Sequence, residues 1–249
     1  MKNNKSDIIS LFIRDRYLDL SSKKHINFNL LDYHYLIKPI NRRVFVFKCG
    51  ERDIENIVAS NSKRVRIEIR PKVFEMPLLV RLINSILISE KTKLSGYIII
   101  PIGIAIYARV GDSRYILDQI KPELKRVYHG QLTGEGSLSY LHYTDWHTRP
   151  PDNINVFEVI MLVEISNMNP TSYSLNSFQL SPKDIQIYTK GGIIFTNKSI
   201  VNIIREDETV IEYHMSPSIK GGRLLEDALE KHIKTVILKA LDVNRYFSR

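Results

Sequence analysis

The chain has 249 residues, of which 43% are hydrophobic and 25% charged, a composition that suits one large or two modest soluble globular domains. Its net charge of +9, from 36 Lys and Arg against 27 Asp and Glu, fits a polyanionic partner, but the charges are scattered enough to be a merely basic background. The single cysteine, Cys49, excludes an intrachain disulfide and a Cys-rich zinc site, and fits a reducing compartment.

The first residues, MKNNKSDIISLF, contain neither an apolar signal region nor a cleavage site. "RRVFVFK" is a β-branched and aromatic run that reads as a strand, and Cys49 behind it reads as structural rather than nucleophilic. "KRVRIEIRP" alternates cleanly. Val65, Ile67 and Ile69 point one way, and Arg64, Arg66, Glu68 and Arg70 the other, which predicts a half-buried strand with a polar outer face, ended by Pro71. "PLLVRLINSILIS", from Pro77 to Ser89, suits either an amphipathic helix or a strand with a break near Asn84 and Ser85.

The run "YIIIPIGIAIYA", Tyr97 to Ala108, is interrupted by Pro101 and Gly103 and is far shorter than the roughly 20 residues of a spanning helix. It reads as a buried strand or two, and the expectation is a cytoplasmic protein with no membrane insertion. "YHGQLTGEGS" carries three glycines, but Ser139 stands where a dinucleotide fingerprint needs its third. No phosphate loop, nucleophile elbow or H-E-x-x-H helix is present, so no cofactor is expected.

"SLSYLHY" reads as a strand running into "HYTDWHTRPPDN". His142, Asp145 and His147 are the candidate metal ligands, with a third histidine, His129 or His214, needed from elsewhere; such a site would suit a metal-dependent hydrolase. On a strand, however, His142 and His147 face opposite sides. The competing expectation is a strand end with Trp146 packing its ring over a sheet edge and Pro150-Pro151 stiffening the loop. "NVFEVIMLVEISN" reads as a strand that stops at "NMNPTS"; "DIQIYTKGGIIFTN" reads as a hairpin through Gly191-Gly192; "ETVIEYHM" reads as another strand. The apolar stripe Leu225, Ala228, Leu229, His232, Ile233, Val236, Ile237, Ala240 and Leu241 recurs at helical spacing, with acids before bases, and predicts a docked amphipathic helix.

The fold expected is mainly β: an N-terminal β-rich segment over 1–60, an antiparallel β-sandwich core over 61–218 and a C-terminal helix over 219–249. The function expected is a non-enzymatic binding or assembly module, with a protein partner or self-association possible. The alternative is nucleic-acid binding through Arg64, Arg66 and Arg70, a guanidinium stripe able to neutralise phosphates. Tyr33, Tyr35 and Phe45 are candidate stacking rings.

Over roughly residues 60–215 the order of motifs resembles an archaeal family known only as a domain of unknown function. The resemblance is carried by "RIEIRPKVFEMPLLVRLINSILIS", "YIIIPIGIAIYAR", "KRVYHGQLTGEGSLSYL" and "NVFEVIMLVEISNMNPTSYSLNSFQLSPKDIQIYTKGG". Within these, Lys125, Tyr128, Gly130, Gly136 and Tyr140 match one family element, and Ile165, Asn167, Pro182, Ile185 and Tyr188 another. The resemblance implies an archaeal source and favours the strand reading of Leu78 to Ser89; it brings no activity, ligand or catalytic residue.

Overall fold

The computed structural model describes residues 10, 12, 14–60, 62–110, 113–130, 136–205, 208–226 and 236–239. In chain order these form β1 (Arg16–Asp19), β2 (Ile26–Leu30), β3 (Tyr33–Asn41), β4 (Val44–Cys49), β5 (Ile54–Ala59), β6 (Arg64–Lys72), β7 (Leu78–Ile88), β8 (Lys93–Pro101), β9 (Gly103–Val110) and β10 (Ser113–Ile120). There follow β11 (Lys125–Gly130), β12 (Gly136–Thr144), β13 (Glu158–Asn167), β14 (Tyr173–Leu180), β15 (Ile187–Lys190), β16 (Ile193–Arg205), β17 (Glu208–Pro217), β18 (Arg223–Glu226) and β19 (Val236–Lys239). Two compact units divide the chain: Met1–Lys72 with Gly103–Lys121, and Val73–Ile102 with Pro122–Arg249.

The first unit holds two four-stranded antiparallel sheets, ordered β1-β6-β9-β10 and β2-β3-β4-β5. The alternation read in β6 is present, with Val65, Ile67 and Ile69 fully buried. Ile104, Ile106 and Ala108 of β9, on the same face, are buried with them. The second sheet contributes Phe28, Tyr35, Ile37, Phe45 and Phe47 to the core, with the Phe28 and Tyr35 rings stacked at 5.2 Å. Arg16, beside Ile67 on β1, lies over the Phe28 ring at 4.8 Å, so the second sheet meets the apolar side of β1 and β6.

A β-bulge between Ile116 and Asp118 sets Asp118 opposite Ile106 and turns its carboxylate toward that apolar side. There it accepts from the Tyr35 hydroxyl at 2.8 Å and from Arg52 at 3.0 Å. Burial, and then the Asp118 carboxylate, push the Tyr35 phenol far above its ordinary range. The strand β6 runs through Pro71 rather than ending at it. β1 pairs only with Arg64 to Ile67, so at Pro71 the ladder has β9 on one side, and a missing N–H is tolerated on the other.

The second unit holds one sheet ordered β11-β12-β7-β14 and another ordered β18-β15-β16-β13-β8, with β17 and β19 extending from β16. The expectation of an antiparallel core needs correction at two pairs, β12 with β7 and β13 with β16, which are parallel. Each such pair needs a long crossover rather than a hairpin, and here intervening strands supply it. Leu78–Ile88 is a strand whose register with β14 breaks between Leu175/Ile86 and Ser177/Arg81. Four residues of β7, including Asn84 and Ser85, there oppose Asn176 alone. The hairpin β15–β16 turns through Gly191 and Gly192, both at positive φ (58° and 79°), the backbone a two-residue hairpin loop requires.

The expected C-terminal helix is not formed where the chain is described. Arg223–Glu226 pairs with β15, and Val236–Lys239 pairs with β17; the remainder of that stripe, over 227–235 and 240–241, lies outside the described residues. The run Val236-Ile237-Leu238 suits a pleated ladder as well as a helical face, and pairing on β17 overrides local helical periodicity.

Candidate functional site

The sequence offered three arginines on one strand; the sheet register assembles a larger group. Tyr17 of β1 stands opposite Arg66 of β6, Arg66 opposite Arg109 of β9, and Arg109 opposite Arg114 of β10. Four residues from four strands thus form one row on one face, with about 4.8 Å between neighbouring strands. Like charges directly opposite each other on paired strands are destabilising, so three arginines abreast need compensation.

Glu68 provides it. It lies two residues along β6 from Arg66, so it shares the face, and only 1% of its side chain is exposed. Its Oε1 accepts from Arg66 Nε at 2.6 Å and from Arg109 Nε at 2.9 Å, and its Oε2 lies 3.2 Å from Arg114 Nε. Burial pushes the Glu68 carboxyl up, but the Arg66 hydrogen bond and the charges of Arg70, Arg114 and Arg109 outweigh it and hold the group below the usual carboxylate range. Asp15 adds a second acid, 3.3 Å from Arg66 and 2.5 Å from Arg70. Arg114 lies over the Tyr107 ring at 3.6 Å, and Arg64 over the Tyr17 ring at 4.3 Å.

The face divides into two halves. Arg66, Arg109 and Arg114 keep 34%, 39% and 26% of their side chains exposed, Arg64 is exposed, and Tyr17 is half exposed. Arg70 and Lys72 are buried, and Arg70 donates to the Phe12 and Ile69 carbonyls. Of the three arginines read from sequence, Arg64 and Arg66 therefore lie at the exposed half, and Arg70 is a buried anchor for the segment around Phe12 and Asp15. The face is not the uniformly solvated one that the alternation suggested, since Glu68 and Arg70 are buried on it. The rings named beside it are also placed elsewhere: Tyr35 and Phe45 are fully buried, and Tyr33 lies under Arg52 at 5.1 Å.

Arg109 and Arg114 were missed because they lie far from β6 in sequence. One local signal was available: the two are symmetric about the turn-prone Gly111-Asp112 in "ARVGDSRY", so a hairpin there sets them side by side.

The His142–His147 loop is arranged differently. His142, on β12, donates from Nε2 to the Ile99 carbonyl at 3.0 Å, and burial pushes its imidazole below the ordinary range. Trp146 lies on β8, where a Cβ added to Gly96 would come within 2.3 Å of the indole. His147 bridges backbone to backbone with Tyr97, at 2.9 and 2.7 Å. Asp145, between them, is exposed. The loop thus covers the edge strand β8, as the ring-over-edge expectation had it. Among the described residues no three His, Cys, Asp or Glu side chains are grouped so that they could hold a metal ion, and no helix is long and apolar enough to cross a membrane.

No curated protein and no solved structure matches the chain. The family described as protein of unknown function (DUF432) matches residues 9–240. That span contains every residue of the arginine row and of the His142–His147 loop, and the chain belongs to this family.

Proposed function

We propose that the chain is a non-enzymatic binding module, built on sandwich-like pairs of β-sheets, whose ligand is nucleic acid and whose contact surface is the row Arg66, Arg109 and Arg114. The observation that supports it most directly is three arginines abreast and in register on three neighbouring strands. Among the described residues the local charge balance favours an anion: Arg66, Arg70, Arg109 and Arg114 stand against Asp15 and Glu68, four guanidiniums against two carboxylates. Each guanidinium carries about five N–H donors, and a carboxylate offers roughly four acceptor sites. The two acids therefore offer Arg66 and Arg109 fewer acceptor sites than the pair has donors. Phosphate oxygens suit the remaining donors, because a planar fork matches them in bidentate fashion.

The test is a salt titration of nucleic-acid binding by fluorescence anisotropy. The wild type is compared with an Arg109→Ser/Arg114→Ser variant, in which Arg66 is left to hold Glu68, and with a Lys23→Ser/Lys121→Ser control that removes the same charge from exposed lysines. Each neutralised phosphate contributes about −0.7 to the slope of log K against log salt on a single strand, and about −0.9 on duplex. The arginine variant is expected to flatten the slope by between about one and two units and to weaken binding. An equal effect in the lysine control, or no binding by the wild type, overturns the reading.

A further inference from the structure

We infer that this surface takes single-stranded nucleic acid, with Tyr17 as the platform on which one base stacks; the inference rests on the reading of the arginine row as a nucleic-acid surface. Tyr17 closes the row at its β1 end, directly opposite Arg66. Its ring is held by the guanidinium of Arg64 at 4.3 Å from the centroid, yet half of the residue remains exposed. Most other large aromatic side chains of this unit are spent internally: Tyr35, Phe45 and Phe47 are fully buried, and Phe28 and Tyr107 nearly so.

An exposed ring that a guanidinium has already fixed loses little freedom when a base covers it, and the same cation strengthens the stack. In a duplex the base faces are stacked on one another, and only base edges are presented in the grooves. Single strands offer free base faces, and a sheet surface that pairs aromatic rings with arginines is suited to them. The row then has a polarity. A base rests on Tyr17, and the backbone leaving it crosses Arg66, Arg109 and Arg114 at successive strand positions, so that ring and phosphate contacts belong to one segment of chain. Base stacking is tolerant of sequence, so the surface is expected to bind without strong base preference.

Three fluorescent probes test this by anisotropy on the full chain: a short oligothymidylate, an abasic strand of the same length, and a duplex of that length. Tyr17→Ala is expected to lower affinity for oligothymidylate about tenfold, in keeping with the loss of one base–aromatic stack, and to leave the abasic strand and the duplex unchanged. Tyr17→Phe should retain wild-type affinity for all three. Should Tyr17→Ala fail to fold, judged by circular dichroism, Tyr17→Leu is read in its place, since it keeps apolar bulk on the sheet without a ring face. Equal loss on the base-bearing and abasic strands, or no loss on either, overturns the stacking inference. In that event a flattened salt slope in Arg109→Ser/Arg114→Ser still upholds the nucleic-acid reading. A wild type that binds none of the probes removes both.

Discussion

Arg66 and Arg109 face each other across the β6–β9 ladder, and both donate from Nε to the same oxygen, Oε1 of Glu68. Two like charges that would repel are thereby made into two arms of one cluster. A buried carboxylate is costly to desolvate and is stable only when it is fully paired. The arrangement is therefore mutual: Glu68 needs the arginines as much as they need it.

Removing the charge of Glu68 should be destabilising. Glu68→Gln keeps the shape and one acceptor oxygen but removes the negative charge that three neighbouring guanidiniums share and turns the other oxygen into an N–H donor. Breaking a buried pair from one side costs about 3–5 kcal/mol; because the arginines are a quarter or more exposed, a loss near the lower end, about 3 kcal/mol, is expected from chemical denaturation. The pH dependence follows from the sign of the shift. The carboxyl titrates lower in the fold than its ordinary value, so its stabilisation is complete above the unfolded value and is lost as pH falls through the folded one. The gap in stability between wild type and Glu68→Gln should therefore be constant near neutrality and close on acidification. A gap that does not narrow in acid contradicts the cluster's ionic role.

Gly96 and Trp146 give a second test. A Cβ on Gly96 would sit 2.3–2.6 Å from three atoms of the indole, far inside contact distance, and the neighbour is a rigid ring. Gly96→Ala is expected to destabilise by about 1–3 kcal/mol, the range for overpacking. Trp146 is the only tryptophan, so its fluorescence reports the displacement directly. In a Gly96→Ala/Trp146→Ala double variant the two losses should not add, because the clash needs both residues. Strict additivity would mean that the ring does not lie on Gly96.

Legibility in the sequence followed the range of the interaction. The alternation of Val65, Ile67 and Ile69, the Gly191-Gly192 turn and the placement of Trp146 over a sheet edge are local matters of side-chain period, positive φ and ring size, and each could be read. The arginine row could not, because Arg66 meets Arg109 only through a register set between distant strands. The C-terminal stripe misled for a related reason: Val236 and Ile237 satisfy helical spacing with Ile233, Ala240 and Leu241 in the sequence, but an available strand, β17, takes Val236–Lys239 into its ladder. The element Ile165, Asn167, Pro182, Ile185 and Tyr188, which carried the family resemblance, acquires a physical meaning in the fold. Asn167 is a buried latch, Pro182 opens a short 3-10 turn at Pro182–Asp184, and Tyr188 donates to Gln186 at 2.7 Å.

Asn167 supports the third prediction. It ends β13 with 1% exposure, and its Nδ2 donates to the carbonyls of Ile88, Ser89 and Thr171 at 3.1, 3.1 and 2.9 Å. Its Oδ1 accepts from the Asn169 amide at 3.0 Å. One amide thus joins the end of β7, the turn after it and the loop before β14. Asn167→Leu has similar bulk but leaves these backbone groups without their partner, the Ile88 carbonyl at a buried residue and those of Ser89 and Thr171 nearer the surface. Each such group costs about 1–3 kcal/mol when it is left unsatisfied; because the carbonyls retain other ways to relax, a total loss of about 2–4 kcal/mol is expected in urea unfolding. Asn167→Asp separates donor from acceptor: its carboxylate still accepts from Asn169 but repels the three carbonyls, so it should be at least as damaging as Leu. Hydrogen exchange should localise the effect, with amides of residues 86–89 and 171–175 losing protection before those of β16. If Asn167→Asp melts with the wild type, the Nδ2 contacts contribute nothing to stability and the latch is not one.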